Sequence, residues 1–175
     1  MMKLDAKQLR ISEPSERDLE EVRAKRREIY LMLVDVYDTY NVGGLFRLAD
    51  AVGVKKVYLC GRTECPPNSR IFKAAVGTDK WVEWEYCESA VQQMRKFEVQ
   101  GTNFKIVGIE QSDKSIDLDE MKMKLPLLLV LGNETEGLSE EILELCDQVV
   151  EIPMYGVNRS LNVIVAAAMV LGRLV

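Results

Sequence analysis

Five polar side chains set the chemical question: Asn41 and Arg47 in "YNVGGLFR", Glu134 in "GNETEGLS", and Ser160 and Asn162 in "NRSLN". Each lies beside glycines or at the mouth of an apolar block, where a polar group can be fixed to a rigid core. The types define what they can do. A guanidinium holds anions, and a carboxylate in a tight glycine loop either accepts backbone amides or does acid–base work. An amide or hydroxyl at a helix start orients a ligand or caps the helix. The chain contains no histidine. That removes Ser-His-Asp and Cys-His nucleophilic chemistry, H-E-x-x-H metalloproteases and the zinc deaminase signature together. Proton transfer is left to a carboxylate, Lys, Tyr, Cys or substrate-bound water.

Each residue also has a plain structural reading that explains it when taken alone. Gly43 and Gly44 let backbone amides at a helix start approach a ligand or phosphate, but their spacing is not G-x-G-x-x-G. Arg47 falls off the apolar stripe of Leu45, Leu48 and Val52, where a surface pair with Asp50 at i+3 contributes only ~0.3–0.5 kcal/mol. Glu134 and Glu136, bracketed by Gly132 and Gly137, serve as well for shaping a loop as for chemistry. Ser160 or Asn162 is a ready N-cap for the apolar helix that follows.

The elements that must position these residues alternate along the chain. Residues 1–28 form a charged arm, with Ser15 and Asp18 at capping-box spacing before a helix reaching about Arg27. "IYLMLVDV" (29–36) reads as a strand buried on both faces, "GGLFRLADAVG" as a short helix and "KKVYLC" as the next strand, a β-α-β unit with a right-handed crossover. "WVEWEY" reads as a strand with one wetter face, and "ESAVQQMRKFEV" as a helix closing at Gly101. "FKIVGI", "LPLLLVLG" and "QVVEI" are further strands. Ser139 caps "EEILELC", and residues 161 to about 174 make a final helix, apolar nearly all round and so expected to be buried. The whole predicts one α/β domain (29–175) with a mainly parallel sheet of about six strands, helices on both faces and the arm outside it. In such sheets ligands bind beyond the carboxyl ends of the strands, where the polar segments fall.

Composition narrows the class. A chain of 175 residues with 47% apolar content suffices for one full core, and a net charge of −5 argues against a single dominant basic surface. Any nucleic-acid contact rests on local clusters: Arg23, Lys25, Arg26 and Arg27; Lys55 and Lys56; or Arg62, Arg70 and Lys73. Cys60, Cys65, Cys87 and Cys146 form no C-x-x-C pair and no zinc-ligand spacing, so reduced thiols and no metal are expected. The charged start lacks a signal pattern, and the apolar C-terminal run is shorter than the ~20 residues of a membrane span. A cytoplasmic protein without a membrane role is the expectation.

Taken together, "NVGGLFRLADAVGV", "LVLGNETEGLS" and "EIPMYGVNRSLNVIVAAAM" resemble, in order, the three motifs of the SpoU (TrmH-type) branch of SPOUT RNA 2′-O-ribose methyltransferases. The resemblance spans roughly Ile29 to Val175. It implies an α/β domain with a C-terminal deep trefoil knot, S-adenosylmethionine as cofactor, and a homodimer with active sites at its interface. It implies tRNA or rRNA as substrate.

By motif, the resemblance carries catalytic roles to Asn41, Arg47, Glu134, Ser160 and Asn162. It carries cofactor-lining roles to Gly132, Ile152, Ser160 and Leu161, and more loosely to Ile109. The implied reaction is in-line attack of a ribose 2′-hydroxyl on a sulfonium methyl group. A guanidinium keeps its proton in proteins, so the role expected of Arg47 is to hold phosphate and stabilise alkoxide charge rather than to act as base. The chain departs from the family at Asp38, Thr39 and Tyr40, where proline is common, at Arg159, where acidic residues are common, and at Ile164, where serine is common. These departures bear on RNA specificity. A non-catalytic RNA-binding relative of the same fold is the alternative.

Overall fold

Apolar runs without polar alternation need cover on both faces of a sheet. In the computed structural model, which describes residues 3–99, 103–122 and 124–174, they receive it. The strands are β1 (Arg27–Val34), β2 (Val54–Cys60), β3 (Glu83–Cys87), β4 (Lys105–Ile109), β5 (Ile116–Asp117), β6 (Leu127–Leu131) and β7 (Gln148–Glu151). Every pairing is parallel, in the order β3-β2-β1-β6-β4-β7-β5. The helices are α1 (Ala6–Ile11), α2 (Glu16–Arg23), α3 (Thr39–Val52), α4 (Ser69–Ala75), α5 (Ala90–Val99), α6 (Glu140–Glu144) and α7 (Val163–Leu171).

Residues of β1 divide alternately between two cores. Ile29, Leu31 and Leu33 pack with Leu45, Phe46 and Ala49 of α3 and with Ala167 and Val170 of α7. Met32 and Val34 join Met94 and Phe97 of α5 and Ile142 of α6 on the other face. β6 repeats the division, Leu127, Leu129 and Leu131 on the first side and Leu128 and Val130 on the second. Truncating any of these fully buried leucines to alanine costs ~2–5 kcal/mol, which makes the sheet the rigid base of whatever its ends carry.

Several expectations shift. The sheet has seven strands rather than about six, because the polar stretch before β6 contributes the two-residue β5. The arm holds two helices, and α2 ends at Arg23, since Arg27 and Glu28 are already drawn into β1. The Ser15–Asp18 capping box is present, and a second, Asp5 with Gln8, starts the unforeseen α1. Trp81 and Val82 precede β3 rather than opening it, completing the turn after Thr78–Lys80. Helix α4 was also unforeseen; seven residues are too few to show a period, although Asn68 Oδ1 caps it by accepting from Arg70 N at 2.9 Å. Ser139 occupies the N-cap of α6 with no side-chain hydrogen bond to it. Gly101 lies outside the described residues.

Two corrections reach the functional region. Helix α3 starts at Thr39, so Gly43 and Gly44 lie inside it and not at its start. A Cβ on Gly43 would stand 2.5 Å from the Ile71 carbonyl oxygen of α4, and one on Gly44 would strike Ile164 of α7. Close helix packing, not anion binding, accounts for this pair. Helix α7 is not buried all round either: Val165 is 46% and Met169 43% exposed.

Candidate active site

Parallel pairing puts the carboxyl ends of β1, β6, β4 and β7, which are neighbours, on one edge of the sheet. The segments leaving β4, β6 and β7 line a cleft of about 340 Å³ whose lining includes Ile109, Gly132, Glu134, Ile152, Ser160 and Leu161. All five residues expected to line a cofactor site are therefore brought together.

The loop after β6 is built with little freedom. Asn133 is buried, and its Oδ1 accepts from Thr135 N at 2.8 Å and Glu136 N at 2.7 Å. Gly137 N donates back to the Asn133 carbonyl at 3.1 Å. A Cβ on Gly132 would strike the Gly137 carbonyl, and Gly137 itself sits at φ +66°. Only glycine fits this crossing. From the end of β4, Glu110 accepts from Leu138 N at 2.8 Å and Gln111 N at 2.9 Å. The acceptors that shape the loop are thus Asn133 and Glu110, while Glu134 faces elsewhere. Sequence reasoning missed Glu110; its position just past a strand end was the only available signal.

Glu134 accepts a hydrogen bond from the Asn41 side-chain amide. Asn41 Oδ1 in turn accepts from Asn162 Nδ2 at 2.9 Å. Asn162 Oδ1 accepts from Ile164 N at 2.9 Å and so caps α7, which makes Asn162 and not Ser160 the N-cap. Asn41 is only 7% exposed, so both ends of its amide needed partners, and each comes from a different motif. The close approach of α3 to α7 at Gly44 allows the two asparagines to meet.

Arg47 and Ser160 stand apart from this chain. Arg47 is exposed and makes no hydrogen bond or ion pair among the described residues. The pairing with Asp50 is not formed, because Asp50 accepts from Arg26 at 2.9 Å. The Arg26 side chain is only 3% exposed and also donates to the carbonyls of Val54 and Trp81, so its burial decides the competition. On α3, Arg47 lies two i+3 steps beyond Asn41, through Gly44. Ser160 is exposed, its N donating to Asn158 Oδ1 at 3.2 Å, and its hydroxyl has no partner among the described residues.

The cleft lining carries Glu110, Glu134, Glu136 and Glu151 against a single cation, Arg159. An acidic, partly apolar cleft suits a ligand bearing positive charge and apolar surface. Among the described residues no cluster of His, Cys, Asp or Glu can hold a metal ion, and no helix is long and apolar enough to cross a membrane. The candidate basic clusters are consumed in part by ion pairs, Arg23 with Glu83, Lys55 with Glu28, and Lys56 with Glu83 and Glu85.

An all-parallel α/β domain with a ligand-sized cleft at its strand ends belongs to a broad class of small-ligand-binding enzymes and binding proteins. Comparison with known proteins narrows it. The model of the SpoU rRNA Methylase family matches residues 28–172, and the chain belongs to that family. It is 36% identical over 156 residues to the tRNA (guanosine(18)-2′-O)-methyltransferase of Aquifex aeolicus, covering 87% of this chain and 72% of that protein. It is 32% identical over 158 residues to the 23S rRNA (guanosine-2′-O-)-methyltransferase RlmB of Vibrio parahaemolyticus, covering 90% of this chain but 63% of the relative. The SpoU methyltransferase AviRb of Streptomyces viridochromogenes, solved in complex with AdoMet, superposes with a TM-score of 0.76 at 28% identity, over 90% of this chain and 63% of that one.

Proposed function

We propose that this chain is an S-adenosylmethionine-dependent methyltransferase acting on a ribose 2′-hydroxyl of tRNA or rRNA. The carrying observation is the side-chain relay from Asn162 through Asn41 to Glu134, which ties three separate motifs together at the rim of one cleft. The cleft fits the cofactor on its own chemistry. Its carboxylates suit a cationic sulfonium and ammonium, its apolar residues suit an adenosine, and the Gly132–Gly137 crossing leaves backbone bare where a side chain would fill the space.

Ile109, Gly132, Ile152, Ser160 and Leu161 would hold the cofactor in this reading. When bound, S-adenosylmethionine supplies an activated methyl group, so the protein's own task is positioning. Glu134, with one oxygen engaged by Asn41, offers the other to orient the ribose hydroxyl. Asn162 fixes the Asn41 amide and, through its cap, fixes both to α7. The Ser160 hydroxyl, unpartnered among the described residues, adds a hydrogen bond to ligand. Arg47, without a hydrogen-bond or ion-pair partner among the described residues, meets RNA phosphate and the negative charge that develops on the attacking oxygen.

A homodimer belongs to the same proposal. The exposed Val165 and Met169 leave an apolar strip on α7 beside the site, which a second copy would bury. The trefoil threading of the C-terminal segment and a cytoplasmic location also belong here as expectations from the family. The test is incubation with methyl-labelled cofactor and unfractionated tRNA or rRNA, followed by nuclease digestion to nucleosides. Label in 2′-O-methylated nucleosides is expected. Cofactor and RNA binding without any transfer would instead make the chain a non-catalytic relative.

A further inference from the structure

Beside the cleft, beyond the residues given roles above, Arg62 lies over the ring of Tyr37. The guanidinium carbon is 4.7 Å from the ring centroid. Arg62 follows β2, and the backbone that carries it is tied down at three points. Gly61 N donates to the Cys87 carbonyl at 3.0 Å, Tyr86 Oη donates to the Gly61 carbonyl at 3.1 Å, and Arg62 N donates to Asp35 Oδ1 at 2.8 Å. Its guanidinium then reaches Asp35 at 3.5 Å and Glu136 at 3.7 Å. Tyr37 lies just ahead of α3, four residues before Asn41, and Glu136 lies two residues after Glu134. The stack is thus joined by short stretches of chain to both partners of the Asn41–Glu134 contact.

A solvated ion pair is the simpler account of Arg62, but it explains neither the ring nor its exposure. Tyr37 remains 40% exposed and the Arg62 side chain 68% exposed, so the stack keeps a planar surface open to solvent. Tyr86 and Tyr40, 50% and 48% exposed, flank the same end of the sheet. Exposed aromatic rings and guanidinium planes are what single-stranded RNA bases stack on, whereas duplex RNA is met through phosphates and 2′-hydroxyls. Arg62 also neutralises Asp35 and Glu136, two carboxylates that would otherwise repel a phosphate chain entering here.

We propose that Tyr37 and Arg62 form a nucleobase subsite that stacks an unpaired base of the substrate RNA next to the methylated ribose. The proposal rests on the RNA methyltransferase reading. It selects for a target held in a loop or other unstacked segment, because a base locked in a helix presents no face to the stack.

The test measures RNA affinity of the cofactor-loaded protein with unfractionated tRNA and ribosomal RNA as probes, over a range of salt concentrations. Tyr37→Ala should weaken binding of the methylated RNA about tenfold, the scale of one lost base–aromatic contact. It should leave the slope of log affinity against log salt unchanged, since no phosphate contact is lost. Tyr37→Phe should restore affinity to within about twofold, because the ring and not the hydroxyl makes the contact. Cofactor affinity and melting temperature should not move in either variant. Wild-type-like binding by Tyr37→Ala overturns the subsite. So does a shallower salt slope, which would assign a phosphate contact, or a Phe variant as weak as the Ala variant. If the wild-type protein itself neither binds nor methylates either RNA, the underlying reading fails, and the subsite with it.

Discussion

The loop after β6 and the outer face of α3 both carry residues expected to act on the substrate, and they are held in opposite ways. In the loop, Asn133 and Glu110 satisfy backbone amides, Gly132 crosses Gly137 at contact distance, and Glu134 is bound by Asn41. On α3, Arg47 has no partner among the described residues. Under the proposed function, the fold finishes one side in advance and leaves the other to be completed by a ligand. Geometry that must be fixed before binding is secured by buried hydrogen bonds. A group meant for a mobile, charged substrate stays solvated until the substrate arrives.

The sharpest test of this contrast is Arg47→Ala. Methyl transfer at saturating RNA and cofactor should fall at least ~100-fold, the loss typical of removing one charge-stabilising donor. The melting temperature and cofactor affinity should stay at wild-type values, because no hydrogen bond or ion pair among the described residues is lost. A lowered melting temperature in that variant would mean the arginine had a structural partner, and the contrast would fail.

Next in size is Gly43→Ala, which drives a methyl group into the backbone of α4. Overpacking of this kind costs ~1–3 kcal/mol, read as a lower denaturant midpoint. Gly44→Ala should be far milder, since the obstacle is the flexible tip of Ile164 and the helix gains ~1 kcal/mol of propensity. Equal losses at the two positions would show that α3 and α7 are packed as rigidly as α3 and α4.

Glu110→Ala probes the prearranged side directly. It strands the amides of Leu138 and Gln111, at a cost of ~1–2 kcal/mol that should weaken cofactor binding about tenfold by calorimetry. Unchanged affinity would separate the loop's shape from its ligand. The smallest effect is expected for Asp50→Ala, about 1 kcal/mol, because Arg26 keeps its two carbonyl acceptors and Asp50 is itself partly exposed. Under the pairing suggested by i+3 spacing the substitution would have left Arg26 untouched. A melting temperature that falls in Asp50→Ala but not in Arg47→Ala confirms which arginine the carboxylate serves.

Much was legible before any coordinates, and its limits have a physical pattern. Apolar runs marked the inner strands because burial on both faces leaves a continuous signal, and alternation marked the half-exposed edge strand β3; β5 escaped with two residues. Caps at Ser15 and Asn162 could be read because an N-cap acts within three residues. The apolar perimeter of α7 implied full burial, yet Val165 and Met169 stay exposed. A helix's own sequence says which faces avoid water, not whether one chain supplies enough surface to cover them.

The amino-acid sequence by itself determined the sheet's apolar strands, the three polar segments that follow β1, β6 and β7, the absence of histidine chemistry, and the motif order that carries the family. Tertiary structure alone decided who meets whom. Arg26 reaches Asp50 across 24 positions and Glu110 reaches Leu138 across 28, while Asn41 meets Glu134 across 93 and Asn162 across 121. Periodicity and capping act over a single helical turn, so they leave such partnerships undetermined. Only packed helices and paired strands bring groups so distant in sequence within the roughly 3 Å of a hydrogen bond.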